Sequence, residues 1–158
     1  MYSFDNNLID LNKNLIFSIK NDPKLLLAIS KIYKNNKYIL YKSNHNLKKR
    51  NILNVKTFKN INLLIDNFIG LLVIDLENYY DTKILLNEFL NFINNDTIIF
   101  MPYLVNFDNY DIKSIRAVFE FCDENNFNIE WIGINGDIKL YEFFNNGFNN
   151  GVAFRLIK

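Results

Sequence analysis

The chain has 158 residues, 49% of them apolar and 16% aromatic, which is enough for one compact domain with a real core and too few for two. Disorder is excluded by that apolar content. The 18 basic and 17 acidic residues nearly cancel, so net charge offers no case for nucleic acid or an anionic membrane surface.

In chain order, 15–19 is a short apolar run and reads as a strand. Asn21-Asp22-Pro23 stops it, and Asp22 with Pro23 behind it is a helix-start signal. Leu25, Leu26, Ala28, Ile29 and Ile32 follow at helical spacing, and Asn35-Asn36 ends that helix. The second and third strands are expected at 38–41 and 52–58, and a short helix at 61–68. Gly70 precedes a fourth strand, 71–76. A helix follows over about 81–93, with Ile84, Leu85, Glu88, Phe89 and Phe92 in register. Asn94-Asn95-Asp96 turns the chain into a buried strand at 97–101, ended by Pro102. The next helix covers 111–125, with Ile112, Ile115, Val118, Phe119 and Cys122 as its apolar positions. A strand at 129–134, a Gly136-Asp137 turn, a continuation at 141–144 and a closing strand at 152–157 complete the order. Strand–helix alternation within one domain, 1–158, argues for a doubly wound α/β sheet.

Single residues exclude several chemistries. Cys122 is alone, which rules out a disulfide framework within the chain and a thiolate metal set; its apolar neighbours make it a core thiol. His45 is the one histidine, so a multi-histidine metal site is excluded, and its polar setting reads as surface. Lys48-Lys49-Arg50 reads as a solvated turn. Abundant Asn, Ile, Lys, Phe and Tyr beside only 5 Gly and 2 Pro reflect A/T-rich codons. Residues 1–14, studded with Asp and Asn, do not read as a signal peptide, and no apolar run is long enough to span a bilayer. The expected location is the cytoplasm or an organelle matrix.

The most informative stretch is Leu71-Leu72-Val73-Ile74-Asp75-Leu76-Glu77-Asn78-Tyr79-Tyr80. A continuous apolar run ends in carboxylates on alternate residues and then enters a helix. A buried parallel strand delivers charge in this way to the carboxyl edge of an α/β sheet, where such folds bind ligands. The simpler reading of Asp75 and Glu77 is that they cap the following helix or accept loop N–H groups. Tyr79 and Tyr80 read as packing residues, and Trp131 as core or edge-strand surface.

Ile74-Asp75-Leu76-Glu77-Asn78-Tyr79-Tyr80-Asp81-Thr82-Lys83 resembles the Ile-Asp-x-Asp-x-Tyr-x-x-Thr-Lys signature of macrocin-type sugar O-methyltransferases. Arg116-Ala117-Val118-Phe119-Glu120-Phe121 is similar to that family's Arg-Ala-x-x-x-Phe helix, and Gly151-Val152-Ala153-Phe154-Arg155-Leu156 to its final strand. The resemblance covers 70–158 best. It implies a Rossmann-like, mostly parallel sheet of the class I methyltransferase type, with an antiparallel C-terminal strand. It also implies S-adenosylmethionine, a divalent metal and transfer of a methyl group to a sugar-like hydroxyl. Asp75 and Glu77 would then be the catalytic or metal-binding acids, with Asp108 as a further ligand from the next loop.

Several positions depart from that pattern. The family's cofactor glycines fall on Ser18, Asp22 and Pro23, where side chains and a missing N–H replace free backbone. The acid that should bind the ribose hydroxyls falls on Lys42, which cannot accept a hydrogen bond. The Asp-Asp-Tyr that should complete a hard-cation site reads Met101-Pro102-Tyr103, with Asp108 and Asp111 a few residues on. Two readings of different class follow. One is a pseudoenzyme: a methyltransferase-like domain without cofactor or metal that binds protein partners, or copies of itself, as a structural subunit. The other is an active S-adenosylmethionine-dependent O-methyltransferase with a diverged site. A third is a domain that binds another small ligand at the switch between strands.

Overall fold

The computed structural model describes residues 14–19, 38–41, 55–58, 68–101, 109–132 and 152–158. Among them seven strands form one mixed, mostly parallel sheet, accompanied by two α-helices, so the chain is of the α/β class. The strands are β1 (Asn14–Ile19), β2 (Tyr38–Tyr41), β3 (Val55–Phe58), β4 (Ile69–Asp75), β5 (Ile98–Met101), β6 (Asn128–Ile132) and β7 (Val152–Ile157). Helix α1 (Tyr79–Phe89) follows β4 and helix α2 (Ser114–Asn125) follows β5. The expected helices at 22–32 and 61–68, and the continuation at 141–144, lie outside the described residues.

Strand order is β3-β2-β1-β4-β5-β7-β6. The first five strands in this order are mutually parallel, and β7 runs antiparallel to both of its neighbours, β5 and β6. Register slips once, between Asn14 and Leu15 of β1, opposite Gly70. A residue without a side chain suits that bulge, where an extra residue must fit into the ladder.

Every residue of β4 is buried, which the apolar run up to Ile74 requires of a central strand, and Asp75 closes the strand. Alternate side chains serve two faces. Ile16, Leu72, Ile74, Ile99, Met101, Phe154 and Leu156 pack in one cluster with Leu85, Leu86 and Phe89 of α1 and Ile115, Val118, Phe121 and Cys122 of α2. Leu71, Val73, Ile98 and Phe100 point the opposite way and are just as buried, so both faces of the central sheet are covered. The closing strand and the second strand lie where their sequence pattern puts them.

Two expected core positions are overturned. Ile84 is 54% exposed and Ile112 is 61% exposed. On α1 the buried positions are Thr82, Leu85, Leu86 and Phe89. These occupy the arc turned toward the sheet, and Ile84 falls on the opposite arc. Ile112 precedes α2 and sits in a 3-10 turn, Tyr110–Ile112, which carries it off the helix's buried stripe.

Candidate functional site

The parallel strands β1 to β5 all end at one edge of the sheet, and the order reverses between β1 and β4. In open α/β sheets that reversal opens a crevice beyond the strand ends. Asp75 lies there, the last residue of β4, paired in register with Ile19 of β1 and only 7% exposed. Ser18 is also buried at the end of β1, opposite Ile74. Ile74 faces the helical layer, so Ser18 shares that face and Asp75 takes the other. Adjacent strands thus bring the two residues together along the chain direction but turn them to opposite sides. Asp22, Lys42 and Asp108, the remaining expected cofactor and metal positions, lie outside the described residues.

Glu77 parts company with Asp75. It is exposed, its carboxylate is 3.9 Å from Lys113 Nζ, and its backbone carbonyl accepts the Ser114 N–H at 2.8 Å. The adjacent Asn78 and Lys113 form an isolated antiparallel bridge. These contacts tie the exit of β4 to the start of α2. Neither acid caps α1. The cap is Asn78, whose Oδ1 accepts the Asp81 N–H at 2.8 Å while its Nδ2 donates to Asp81 Oδ2 at 2.7 Å. That cap starts the helix two residues before the expected position. Among the described residues, no group of three or more His, Cys, Asp or Glu side chains is placed to hold a metal ion.

Among the described residues, the densest polar cluster is on the α1–α2 seam. The Tyr79 phenol donates to Glu120 Oε2, and Arg116 Nε donates to Glu120 Oε1 at 2.9 Å. The Arg116 guanidinium also lies 4.4 Å above the Tyr79 ring and donates to the Asp111 carbonyl at 2.9 Å. Lys83 Nζ is 2.7 Å from Glu124 and 3.5 Å from Glu120. Hydrogen bonds from Tyr79 and Arg116 hold the Glu120 carboxyl below the usual range. The same bond to Glu120 pushes the Tyr79 phenol up. The members of this cluster neutralise one another, which makes it a clamp between helices. Tyr79 therefore packs, as its sequence context suggests, whereas Tyr80 is 75% exposed and meets the Tyr79 ring edge-on at 5.1 Å.

A second polar link crosses from sheet to helix. The buried Tyr41 of β2 donates to Glu88 Oε2 of α1 at 2.5 Å, and its ring meets Phe89 edge-on at 4.9 Å. Burial, reinforced by Glu88, pushes the Tyr41 phenol well above its ordinary value. Cys122 is buried as expected, and burial pushes its thiol up to about 11, so it is no nucleophile at neutral pH. Trp131 lies on β6, the edge strand, and packs edge-on to Phe154 at 5.6 Å.

A cleft of about 570 Å³ opens at the other end of the sheet, where β5 begins and β7 ends. Ile93, Asn94, Asn95, Phe127 and Lys158 are among its lining residues. Its walls are turn amides and a lysine above a phenyl ring, remote in the topology from Asp75.

Sequence reasoning missed the Tyr79–Glu120 and Tyr41–Glu88 pairs, whose partners are 41 and 47 residues apart, and no local spacing signals either one. No helix of the described residues is long and apolar enough to cross a membrane. No protein-family model matches the chain, and no curated protein matches it.

Proposed function

We propose that the chain is a class I methyltransferase-type domain, related to macrocin-type sugar O-methyltransferases, that no longer binds S-adenosylmethionine or a divalent metal. It serves as a non-catalytic, protein-binding or structural subunit. The fold half of this reading is supported by the strand order, with its reversal between β1 and β4 and its antiparallel β7, and by the burial of both sheet faces. A doubly wound sheet needs cover on both sides.

The observation that carries the functional half is the separation of the two signature acids. A hard cation needs several oxygens converging on one point. Asp75 is buried at the end of β4, whereas Glu77 is exposed and engaged with Lys113 and the start of α2. Glu77 joins two elements of the fold, and its position is explained without a ligand. The residues at the cofactor positions of the family pattern, Ser18, Asp22, Pro23 and Lys42, point the same way by their chemistry.

The test is thermal unfolding of the full chain with S-adenosylmethionine or S-adenosylhomocysteine at about 1 mM, with and without magnesium. The expected result is no shift. A ligand at a hundred times its dissociation constant stabilises by about 2.7 kcal/mol. In a chain of this size that raises the midpoint by about 5–10 °C. A saturable shift of that order overturns the reading and favours the active enzyme, with Asp75 as its acid.

A further inference from the structure

We propose that the outer face of the helical layer, around Tyr80, Ile84 and Ile112, docks a basic amphipathic segment of a partner protein. The inference rests on the reading of the chain as a protein-binding subunit and gives that partner a chemistry.

Tyr80 and Ile84 are one helical turn apart on α1 and form a single outward stripe, 75% and 54% exposed. The 3-10 turn that holds Tyr110 and Ile112 abuts both helices, and the Asn78–Lys113 bridge holds it at the start of α1. Tyr110 is 40% exposed and Ile112 61%. Together these are four of the five large apolar side chains that stand exposed among the described residues. Apolar side chains gathered at one place on the surface are a mark of an interaction site.

Charge defines what fits. The exposed acids Asp81 and Asp111 are the chain neighbours of Tyr80 and of Tyr110 and Ile112. The cations of the layer are already committed: Lys83 to Glu120 and Glu124, Arg116 to Glu120, and Lys113 toward Glu77. Residues 77–93 and 109–125 together hold seven acidic and three basic residues, while the rest of the chain holds ten acidic and fifteen basic. The helical layer is thus strongly acidic in a nearly neutral protein. An acidic segment or a nucleic acid would be repelled. A segment with apolar side chains flanked by Lys or Arg matches both the apolar stripe and its border, as in helix-on-groove recognition.

The full-length chain is titrated into three fluorescent peptides of about 18 residues, one helical turn pattern each of Lys/Leu, Glu/Leu and Lys/Ser, with anisotropy as the readout. The Lys/Leu peptide is expected to bind saturably and at least about tenfold more tightly than the other two. Raising salt from about 50 to 300 mM weakens it several-fold, since the border charges are exposed. The Tyr80→Ser/Ile84→Ser double variant and Asp111→Lys each weaken it by about tenfold, with melting lowered by at most a few degrees, because these side chains are mostly solvent-facing and lose only the Tyr79 edge contact and a charge near Arg116. Equal binding of all three peptides, or full binding by the variants, overturns the proposal. Sedimentation showing a dimer that these variants dissociate also overturns it, because a second copy is then the occupant. Failure of the peptide with no response to S-adenosylmethionine removes the docking surface alone. A saturable response to the cofactor removes the non-catalytic reading whatever the peptide does.

Discussion

Replacing Thr97 by Val tests how β4 and β5 are locked at the start of their pairing. Thr97 is fully buried, and its hydroxyl donates to the Ile69 carbonyl at 2.6 Å while accepting the Asn94 N–H at 3.1 Å. Ordered pairing of β4 with β5 begins at Leu71 and Ile98, so this side chain extends the link beyond the end of the ladder. Valine keeps the shape and removes both bonds. The Ile69 carbonyl is buried, and losing its donor there costs about 1–3 kcal/mol. The Asn94 N–H is half-buried and recovers part of its loss from water, for about 0.5–1 kcal/mol more. The sum is about 1.5–4 kcal/mol, large against the stability of an ordinary domain. Urea unfolding at pH 7 should show a lower midpoint with an unchanged slope, and the thermal midpoint should fall by about 3–16 °C. Thr97→Ser keeps the hydroxyl and loses one methyl, so it should stay within about 1 kcal/mol of the wild type. A Val variant within about 0.5 kcal/mol of the wild type would refute the clamp.

Two further outcomes follow from the helical layer. Asn78→Ala removes the α1 cap and should cost about 1 kcal/mol in urea unfolding, while Asn78→Ser, whose hydroxyl can still accept the Asp81 N–H without facing the Asp81 carboxylate with a second charge, should cost much less. The Glu120 carboxyl is held below its unfolded value, so its contribution is present above about pH 4.3 and is lost as pH falls through the lower folded value. Glu120→Gln should therefore flatten the acid limb of the stability–pH curve, and a limb of unchanged slope would show that Tyr79 and Arg116 do not favour the charged form.

The strands were the legible part of the sequence. A fully buried central strand must be apolar along its length, and β4 is up to its last residue, Asp75; β2 and β7 match their expected bounds. Helix direction was harder to read. Spacing places Ile84 and Leu85 on a helix but does not say which arc meets the sheet, and a polar Thr82 lies inside while Ile84 lies outside. Asn78, three residues before Asp81, carries a start signal in its Asx side chain, which outweighs the acid at 81 as the helix boundary. At the candidate site, placing Asp75 at the strand end needed only the hydrophobic run. The engagement of Glu77 by Lys113 depends on how α2 returns to the end of β4, which is a tertiary fact. Net charge was misleading in a similar way, because it averages an acidic helical layer with a basic remainder.

The position of β7 has a consequence for assembly. The seventh described strand is inserted between β5 and β6, and among the described residues β6 pairs with no other strand. β6 precedes its partner along the chain, so among the described strands it has nothing to join, and β5 keeps an open border, until residues 152–157 enter. Entry of β7 therefore closes two margins of the sheet in one step. A ribosome that stopped shortly before residue 152 would release a polypeptide with two unsatisfied hydrogen-bonding margins, the kind of intermediate that chaperones and proteases select.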